Sequence, residues 1–97
     1  MIITHTYNDP YIASRHGSTT KPTIEFEGTL KQCKDKMLDI YNECCGESNG
    51  FAENQSEAVR KSKGKMDGMD VGGRRVDYDS QTYRITTKKE MEEASNV

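Results

Sequence analysis

Between Arg74 and Thr87, apolar and polar residues alternate on both sides of a short polar break, which is the pattern of a β-hairpin. The pattern predicts a turn centred on Ser80 and Gln81. The cross-strand pairs that follow from this turn are Tyr78 with Tyr83, Val76 with Ile85, and Asp77 with Arg84. One face of the hairpin is then apolar, and the other carries an ion pair.

Two further strands are predicted near the N terminus. Apolar and aromatic residues lie among threonines from Ile2 to Tyr7, before a turn at Asn8-Asp9-Pro10. In residues 23–27, apolar side chains alternate with Glu25 and Glu27, which predicts a half-buried strand with its acids toward solvent. The stretch from Tyr11 to Pro22 has few apolar residues and is predicted to be an exposed loop.

One long helix is predicted after Gly28. Thr29 and Gln32 have the spacing of a capping box, and the helix is expected from Leu30 to about Cys45, with Gly46 just past its end. Apolar residues recur at steps of three and four. The predicted buried stripe consists of Leu30, Cys33, Met37, Ile40, Tyr41 and Cys44. The opposite face carries Asp35, Asp39 and Glu43 on successive turns.

Residues 47–73 are rich in Ser, Asn, Gly and Lys, and we expect a flexible or weakly helical segment there, with a short helix over 55–63 and a glycine-rich loop after it. Thr87 and Glu90 form a second capping box for a short helix ending near Ala94. The predicted fold is a single α+β domain over 1–97. In it, a small antiparallel sheet, made of two N-terminal strands and a C-terminal hairpin, packs against one long helix, with a short C-terminal helix.

The chain has 97 residues, of which 32% are apolar and none is Trp. A domain of this size removes only roughly 60–65% of its unfolded surface from water. A deep catalytic cleft is therefore hard to enclose, and the shortage of apolar residues favours association with a partner or with a second copy of the chain. The longest apolar runs are too short for a transmembrane helix or a signal peptide, which predicts a cytoplasmic protein without a membrane partner.

The three cysteines, at positions 33, 44 and 45, are odd in number and include an adjacent pair, so reduced thiols are expected. Their spacing and that of the two histidines lack the paired short spacings of a zinc site. Core packing is therefore the preferred role of Cys33 and Cys44. A thiol at a helix C terminus, such as Cys45, is poorly placed for nucleophilic catalysis. No metal, cofactor or catalytic residue is predicted.

Charge is distributed unevenly, although the formal net charge is only −2. Residues 25–57 contain eight acids and three lysines, whereas residues 60–75 contain six bases and two acids. A row of carboxylates can mimic phosphates and enter a cationic groove, and exposed tyrosines favour binding surfaces. The predicted partner-binding residues are Glu25, Glu27, Asp35, Asp39, Glu43, Tyr7 and Tyr11. The predicted phosphate-binding residues are Arg60, Lys61, Lys63, Lys65, Arg74 and Arg75.

In overall character rather than in any motif, this short mixed-charge chain is similar to accessory proteins of phages and mobile elements, including anti-CRISPR and other anti-defence inhibitors. The leading hypothesis is a non-enzymatic binding protein that inhibits or modulates a larger protein or nucleoprotein complex. The alternative is a protein that binds or sequesters nucleic acid or nucleotides through the basic 60–75 segment. A third hypothesis, an enzyme, would need a histidine with a shifted pKa in a concave pocket.

Overall fold

A computed structural model of the protein describes the backbone of residues 1–95 and the side chains of residues 1–93. The strands are Ile2–Tyr7 (β1), Thr23–Glu27 (β2), Gly68–Met69 (β3), Arg75–Tyr78 (β4) and Gln81–Thr86 (β5). The helices are Pro10–Arg15 (α1), Leu30–Asn49 (α2), Gln55–Ser62 (α3) and Lys88–Ser95 (α4). The predicted α+β class, with one long helix and a short C-terminal helix, is confirmed.

The five strands form one antiparallel sheet in the order β2-β1-β5-β4-β3. Residues that pair across strands point to the same face, because side chains alternate along each strand. Ile3 pairs with Ile85, and both pack into the core beneath α2. Thr4 pairs with Arg84 and lies on the other side of the sheet, which we call the open face. The buried α2 residues are Cys33, Met37, Ile40, Tyr41, Cys45 and Gly46.

The hairpin forms where it was predicted, but its register differs. Asp79 and Ser80 occupy the turn, with φ values of 47° and 59°, as a two-residue hairpin turn with two left-handed residues requires. The observed pairs are Tyr78 with Gln81, Asp77 with Thr82, Val76 with Tyr83, and Arg75 with Arg84. The predicted Asp77–Arg84 pairing is therefore wrong. The apolar face of the hairpin is nevertheless present. Each β4 residue pairs with a β5 residue two positions before the predicted one, and a shift of two leaves every side chain on the same face of the sheet.

Strand β2 has an irregularity that changes the exposure of its side chains. Ile3 pairs with Phe26, but the next residue, Thr4, pairs with Ile24, so Glu25 is the extra residue of a β-bulge. Ile24 therefore shares the open face with Thr4 and is 47% exposed. The simple alternation that places both Ile24 and Phe26 in the core is wrong at Ile24.

Two helix boundaries differ from the prediction for local reasons. The predicted loop after Pro10 begins with α1, whose N-cap Asp9 accepts a hydrogen bond from the Tyr11 N–H and whose first residue is proline. Helix α2 continues past Gly46 to Asn49. Gly46 is buried because the Phe51 ring lies against it, at 2.5 Å from the position that a Cβ would take. It serves close packing and does not end the helix.

Residues 50–69 are held to α2 and to each other by specific hydrogen bonds. The Asn42 side chain accepts from the Ala52 N–H and donates to the Ala52 carbonyl, both at 2.9 Å. The predicted short helix is present as α3, but part of the predicted glycine-rich loop is strand β3. Ser62, at the end of α3, accepts a hydrogen bond from the Met69 N–H at 2.8 Å.

At α4, the Thr87 hydroxyl accepts from the Glu90 N–H. None of the helices within residues 1–95 has the length and apolarity needed to cross a membrane.

Candidate functional site

Four aromatic rings form a continuous row at one end of the sheet. Tyr83 stacks on His5 with ring centroids 4.5 Å apart, and His5 meets the edge of Tyr7 at 4.7 Å. Tyr7 in turn stacks on His16 at 5.1 Å, which ties the segment after α1 to the sheet. The His5 ring is also hydrogen-bonded to the Gln81 side chain at 2.8 Å. The row is therefore held in place by packing and hydrogen bonding before any partner arrives.

Negative charge lies beside this row. Burial raises the pKa of the Tyr83 hydroxyl to about 12, and the nearby charges of Glu25 and Glu43 add to the increase. Burial also raises the pKa of the Cys44 thiol, again with contributions from Glu43 and Glu25. Two carboxylates from different elements, β2 and α2, therefore share one neighbourhood with Tyr83. We call the set His5, Tyr7, His16, Glu25, Glu43 and Tyr83 the acidic–aromatic surface.

Two of the three other predicted acids, Glu27 and Asp35, are paired with lysines. The Glu27 carboxylate is 2.7 Å from the Lys88 ammonium, and the pKa of Glu27 is lowered mainly by this hydrogen bond. Asp35 is paired with Lys31 at 3.3 Å. Asp39 is exposed on α2, one turn before Glu43, and has no ion pair with another described residue. The predicted row of five acids is thus a smaller group of unpaired carboxylates, Glu25, Asp39 and Glu43.

The two predicted tyrosines have different environments. Tyr7 is half-buried within the ring row, where both of its neighbours are histidines. Tyr11 is 71% exposed on the first turn of α1. Tyr7 is thus a rigid part of the acidic–aromatic surface, whereas Tyr11 is an exposed side chain that does not join the ring row.

The predicted basic residues partly converge on a second site. Arg60, Lys63, Lys65 and Arg75 line one groove of about 500 Å³ between α3 and the strands β3 and β4. We call it the basic groove. Its other walls include Asp70, Asp77 and four apolar side chains, of which Met66 is 98% exposed and Val71 is 83% exposed. The sequence segment 60–75 thus folds back on itself, so that its two ends face the same depression.

Two of the six predicted basic residues lie outside this groove. The Lys61 ammonium donates to the Phe51 carbonyl at 2.8 Å and is paired with Glu57 at 3.0 Å. Arg74 is exposed but does not line the groove. Lys61 therefore has a structural role at the end of α3, since it joins that helix to the segment that follows α2.

The environments of Cys44 and Cys45 disfavour the thiolate, because burial raises the pKa of both thiols. Cys33 and Cys45 are buried, and burial raises the pKa of Cys45 to about 11. Because the thiolate is the nucleophile and the metal ligand, raised pKa values oppose both roles at neutral pH. Among the residues that the structure describes, no three His, Cys, Asp or Glu side chains are grouped so that they could hold a metal ion.

Comparisons with models of protein families, with curated proteins and with solved structures found no match. The candidate surfaces therefore stand on their own geometry.

Sequence reasoning missed three members of these surfaces. His5 and His16 are not among the predicted binding residues, and the sequence predicts Tyr83 only as part of the apolar face of the hairpin. A signal for His5 is present, because it shares the β1 alternation with Ile3 and Tyr7 and so must face the same side. No sequence signal joins His16 to Tyr7, since their stacking depends on the path of the chain after α1.

Proposed function

We propose that this protein is a small non-enzymatic binding protein that inhibits or modulates a larger protein or nucleoprotein complex, and that it contacts its target through the acidic–aromatic surface. The observation that carries the proposal is that Glu25 and Glu43 both lie close enough to Tyr83 to raise its pKa, and that Tyr83 is stacked on His5, the next ring of the row. Neither carboxylate forms an ion pair with a residue in 1–95.

The chemistry of this surface suits a cationic segment of the target, and arginine in particular. A guanidinium binds carboxylates through paired N–H donors and also stacks on aromatic rings. Carboxylates next to tyrosine and histidine rings offer both contacts within one neighbourhood. The rings are already ordered by stacking, so binding would cost little side-chain entropy at these positions.

A role in countering host defence is part of the same proposal. Nucleoprotein complexes present cationic grooves, and an acidic surface on a small protein is attracted to such grooves over long range. An inhibitor of this kind needs only to cover a groove. The raised pKa values of Cys44 and Cys45 support a binding role over thiol catalysis.

The first test is charge reversal. In the variant Glu25→Lys/Glu43→Lys, we expect loss of binding to an arginine-containing probe, a nonapeptide with three arginines separated by glycine and serine. Binding is measured by amide NMR titration, in which the wild-type protein should show shifts concentrated at His5, Tyr7 and Tyr83. The matched control Glu92→Lys/Glu93→Lys makes the same change of charge at exposed positions of α4.

The second test uses the target itself. Immobilised wild-type protein, the charge-reversed variant and the control variant are each incubated with bacterial lysate, and captured proteins are quantified by mass spectrometry. We expect proteins that are captured by the wild type and the control but lost with Glu25→Lys/Glu43→Lys. Capture that is the same for all three, with peptide shifts away from the ring row, would rule out this surface as the contact.

A further inference from the structure

We propose that the open face of the sheet carries a second binding site, a track for the sugar–phosphate backbone of a nucleic acid, formed by the basic groove and by a neighbouring cleft around Arg84. The cleft has a volume of about 400 Å³ and is lined by threonine and arginine side chains of β1, β4 and β5 and by Asn8, with Pro22, Ile85, Glu90 and Met91 as its remaining wall. This inference does not depend on the proposed protein contact, because it uses different residues.

Arg75 joins the two depressions. It lines both the basic groove and the cleft, since it lies on β4 between β3 on one side and β5 on the other. Its Nε donates to the two carboxylate oxygens of Asp77 at 3.2 and 3.0 Å. The terminal nitrogens of its guanidinium have no hydrogen-bond partner within the described part of the chain. They are therefore available to a ligand on the open face.

The position of Arg84 favours binding of an anionic ligand in this cleft. It lies directly opposite Arg75 in the ladder between β4 and β5, although like charges in this position repel each other. Its side chain is exposed and forms no hydrogen bond or ion pair with any residue in 1–93. Two arginines on neighbouring strands at the same position of the ladder can direct several N–H donors to one phosphodiester group.

Hydroxyl groups continue the track along β1. Thr6 is half-buried on the open face beside Thr82 and lines the same cleft. Thr4 forms the floor of the cleft, because it is buried and its hydroxyl donates to the Arg84 carbonyl at 3.4 Å. Backbone phosphates are commonly bound by threonine hydroxyls together with arginine and lysine. On the other side of Arg75, Lys63 and Lys65 extend the positive charge along the basic groove.

The acids that border the track already accept hydrogen bonds from the protein. Asp77 accepts from Arg75 and from the Thr82 hydroxyl. Asp70 accepts from the Val71 N–H, and Glu90 accepts from the Thr86 hydroxyl. The two depressions are therefore lined by more cations than carboxylates, and all three carboxylates already have partners. The five cations are Arg60, Lys63, Lys65, Arg75 and Arg84.

The side chains that line the track also indicate whether binding would depend on the base sequence of the nucleic acid. No aromatic side chain is among the residues that line either depression, so bases have no stacking platform there. Contacts restricted to phosphates and sugars carry no direct sequence information. We therefore expect binding that is independent of sequence and strongly dependent on salt.

The test is fluorescence anisotropy with a labelled 20-nucleotide oligo-dT and, in parallel, a labelled 20-base-pair duplex, at several salt concentrations from 50 to 200 mM. Three variants are compared with the wild type: Arg84→Gln alone, Lys63→Gln/Lys65→Gln, and the control Arg15→Gln/Lys36→Gln, whose residues lie away from the track. Arg84→Gln removes no hydrogen bond or ion pair among the described residues, so its fold should be unchanged in circular dichroism.

We expect at least a threefold loss of affinity for Arg84→Gln and a tenfold loss for Lys63→Gln/Lys65→Gln, with no change for the control. For the single strand, the slope of log affinity against log salt should become shallower by roughly 1.4 when two phosphate contacts are lost. The variant Glu25→Lys/Glu43→Lys should still bind the oligonucleotide, which separates this site from the acidic–aromatic surface. Equal affinity in all variants, or displacement of the oligonucleotide by polyglutamate as effectively as by unlabelled oligo-dT, would overturn the proposal.

Discussion

The hydroxyl of Ser62 accepts a hydrogen bond from the backbone N–H of Met69 at 2.8 Å and donates one to the Ala58 carbonyl at 2.7 Å. A side chain of α3 thereby satisfies a backbone group on the outer strand of the sheet, β3. Edge strands expose unpaired donors and acceptors that invite other chains to add to the sheet. Ser62 closes part of this edge and at the same time positions α3 beside the basic groove.

The variant Ser62→Ala is expected to lose about 1–3 kcal/mol of unfolding free energy, because the buried N–H of Met69 is left without an acceptor. Urea denaturation followed by circular dichroism measures the loss. Ser56→Ala, at an exposed position of the same helix, should change stability by less than about 0.5 kcal/mol. Equal stability of the two variants would show that the Ser62 hydrogen bond is replaced by water.

Gly68→Ala is expected to be more damaging than Gly64→Ala. Gly68 has a φ of 148°, and a Cβ there would lie 2.3 Å from the Ser62 hydroxyl oxygen and 2.5 Å from the Ser62 Cβ. Gly64 also has a positive φ, but a Cβ there would meet nothing within 4 Å. We expect a loss of roughly 2–5 kcal/mol at Gly68 from strain and overpacking and of about 1 kcal/mol at Gly64 from backbone strain alone. Equilibrium unfolding of both variants distinguishes the two costs, and similar losses would contradict the close contact with Ser62.

Stability should decrease at alkaline pH. The pKa of Cys45 is raised from 9.0 to about 11 and that of Tyr83 from 10.0 to about 12, in both cases mainly by burial. The folded state therefore binds these protons more tightly than the unfolded state does. Their stabilising contribution is complete below pH 9 and is lost as the pH rises toward 11 and 12. The urea midpoint should be nearly constant from pH 7 to 8.5 and fall above pH 9, less steeply in Cys45→Ala. An unchanged midpoint up to pH 11 would contradict the burial of both groups.

The rate of alkylation by iodoacetamide tests the burial and the raised pKa of Cys45 at a lower pH. Because Cys45 is buried and its pKa is about 11, its thiolate fraction at pH 8 is roughly 100-fold below that of an ordinary thiol. We expect Cys45 to react at least that much more slowly in the folded protein than in 8 M urea. Peptide mass spectrometry at successive times resolves the three cysteines, and fast modification of Cys45 in the folded protein would contradict the structure.

Much of the fold could be read from local patterns. The capping box at Thr29 and Gln32 and the assignment of the hairpin residues to two faces each depend on spacing along one element, and both are present in the structure. The predicted buried stripe of α2 is confirmed at Cys33, Met37, Ile40 and Tyr41. It is wrong at its two ends, because Leu30 is 36% exposed and Cys45 is buried where Cys44 is only half-buried. Helix α1 was missed although its signal, Asp9 followed by Pro10, is local and recognisable. The end of α2 could not be predicted from the sequence. Gly46 lies inside the helix, where the Phe51 ring leaves no room for a Cβ, and it does not form the turn that ends the helix.

The candidate site was less accessible to sequence reasoning. The acidic segment and the basic segment were visible as composition, but the pairing of Glu27 with Lys88 and of Lys61 with Glu57 removes members from each set. Arg84 was assigned to an ion pair with Asp77, and the actual register places it opposite Arg75. A shift of two positions in a hairpin leaves the hydrophobic face intact, so the apolar pattern contains no information that distinguishes the two registers.

The sequence by itself determined the fold class of this protein: four of its five strands, its long amphipathic helix and its two oppositely charged segments follow from periodicity, capping residues and charge, which act over a few neighbouring positions. Only the tertiary structure decided which side chains meet. The bulge at Glu25, the stacking of Tyr7 on His16 and the juxtaposition of Arg75 with Arg84 join residues from different elements. Such contacts depend on how strands align and helices pack across the whole chain, and local patterns do not encode that alignment.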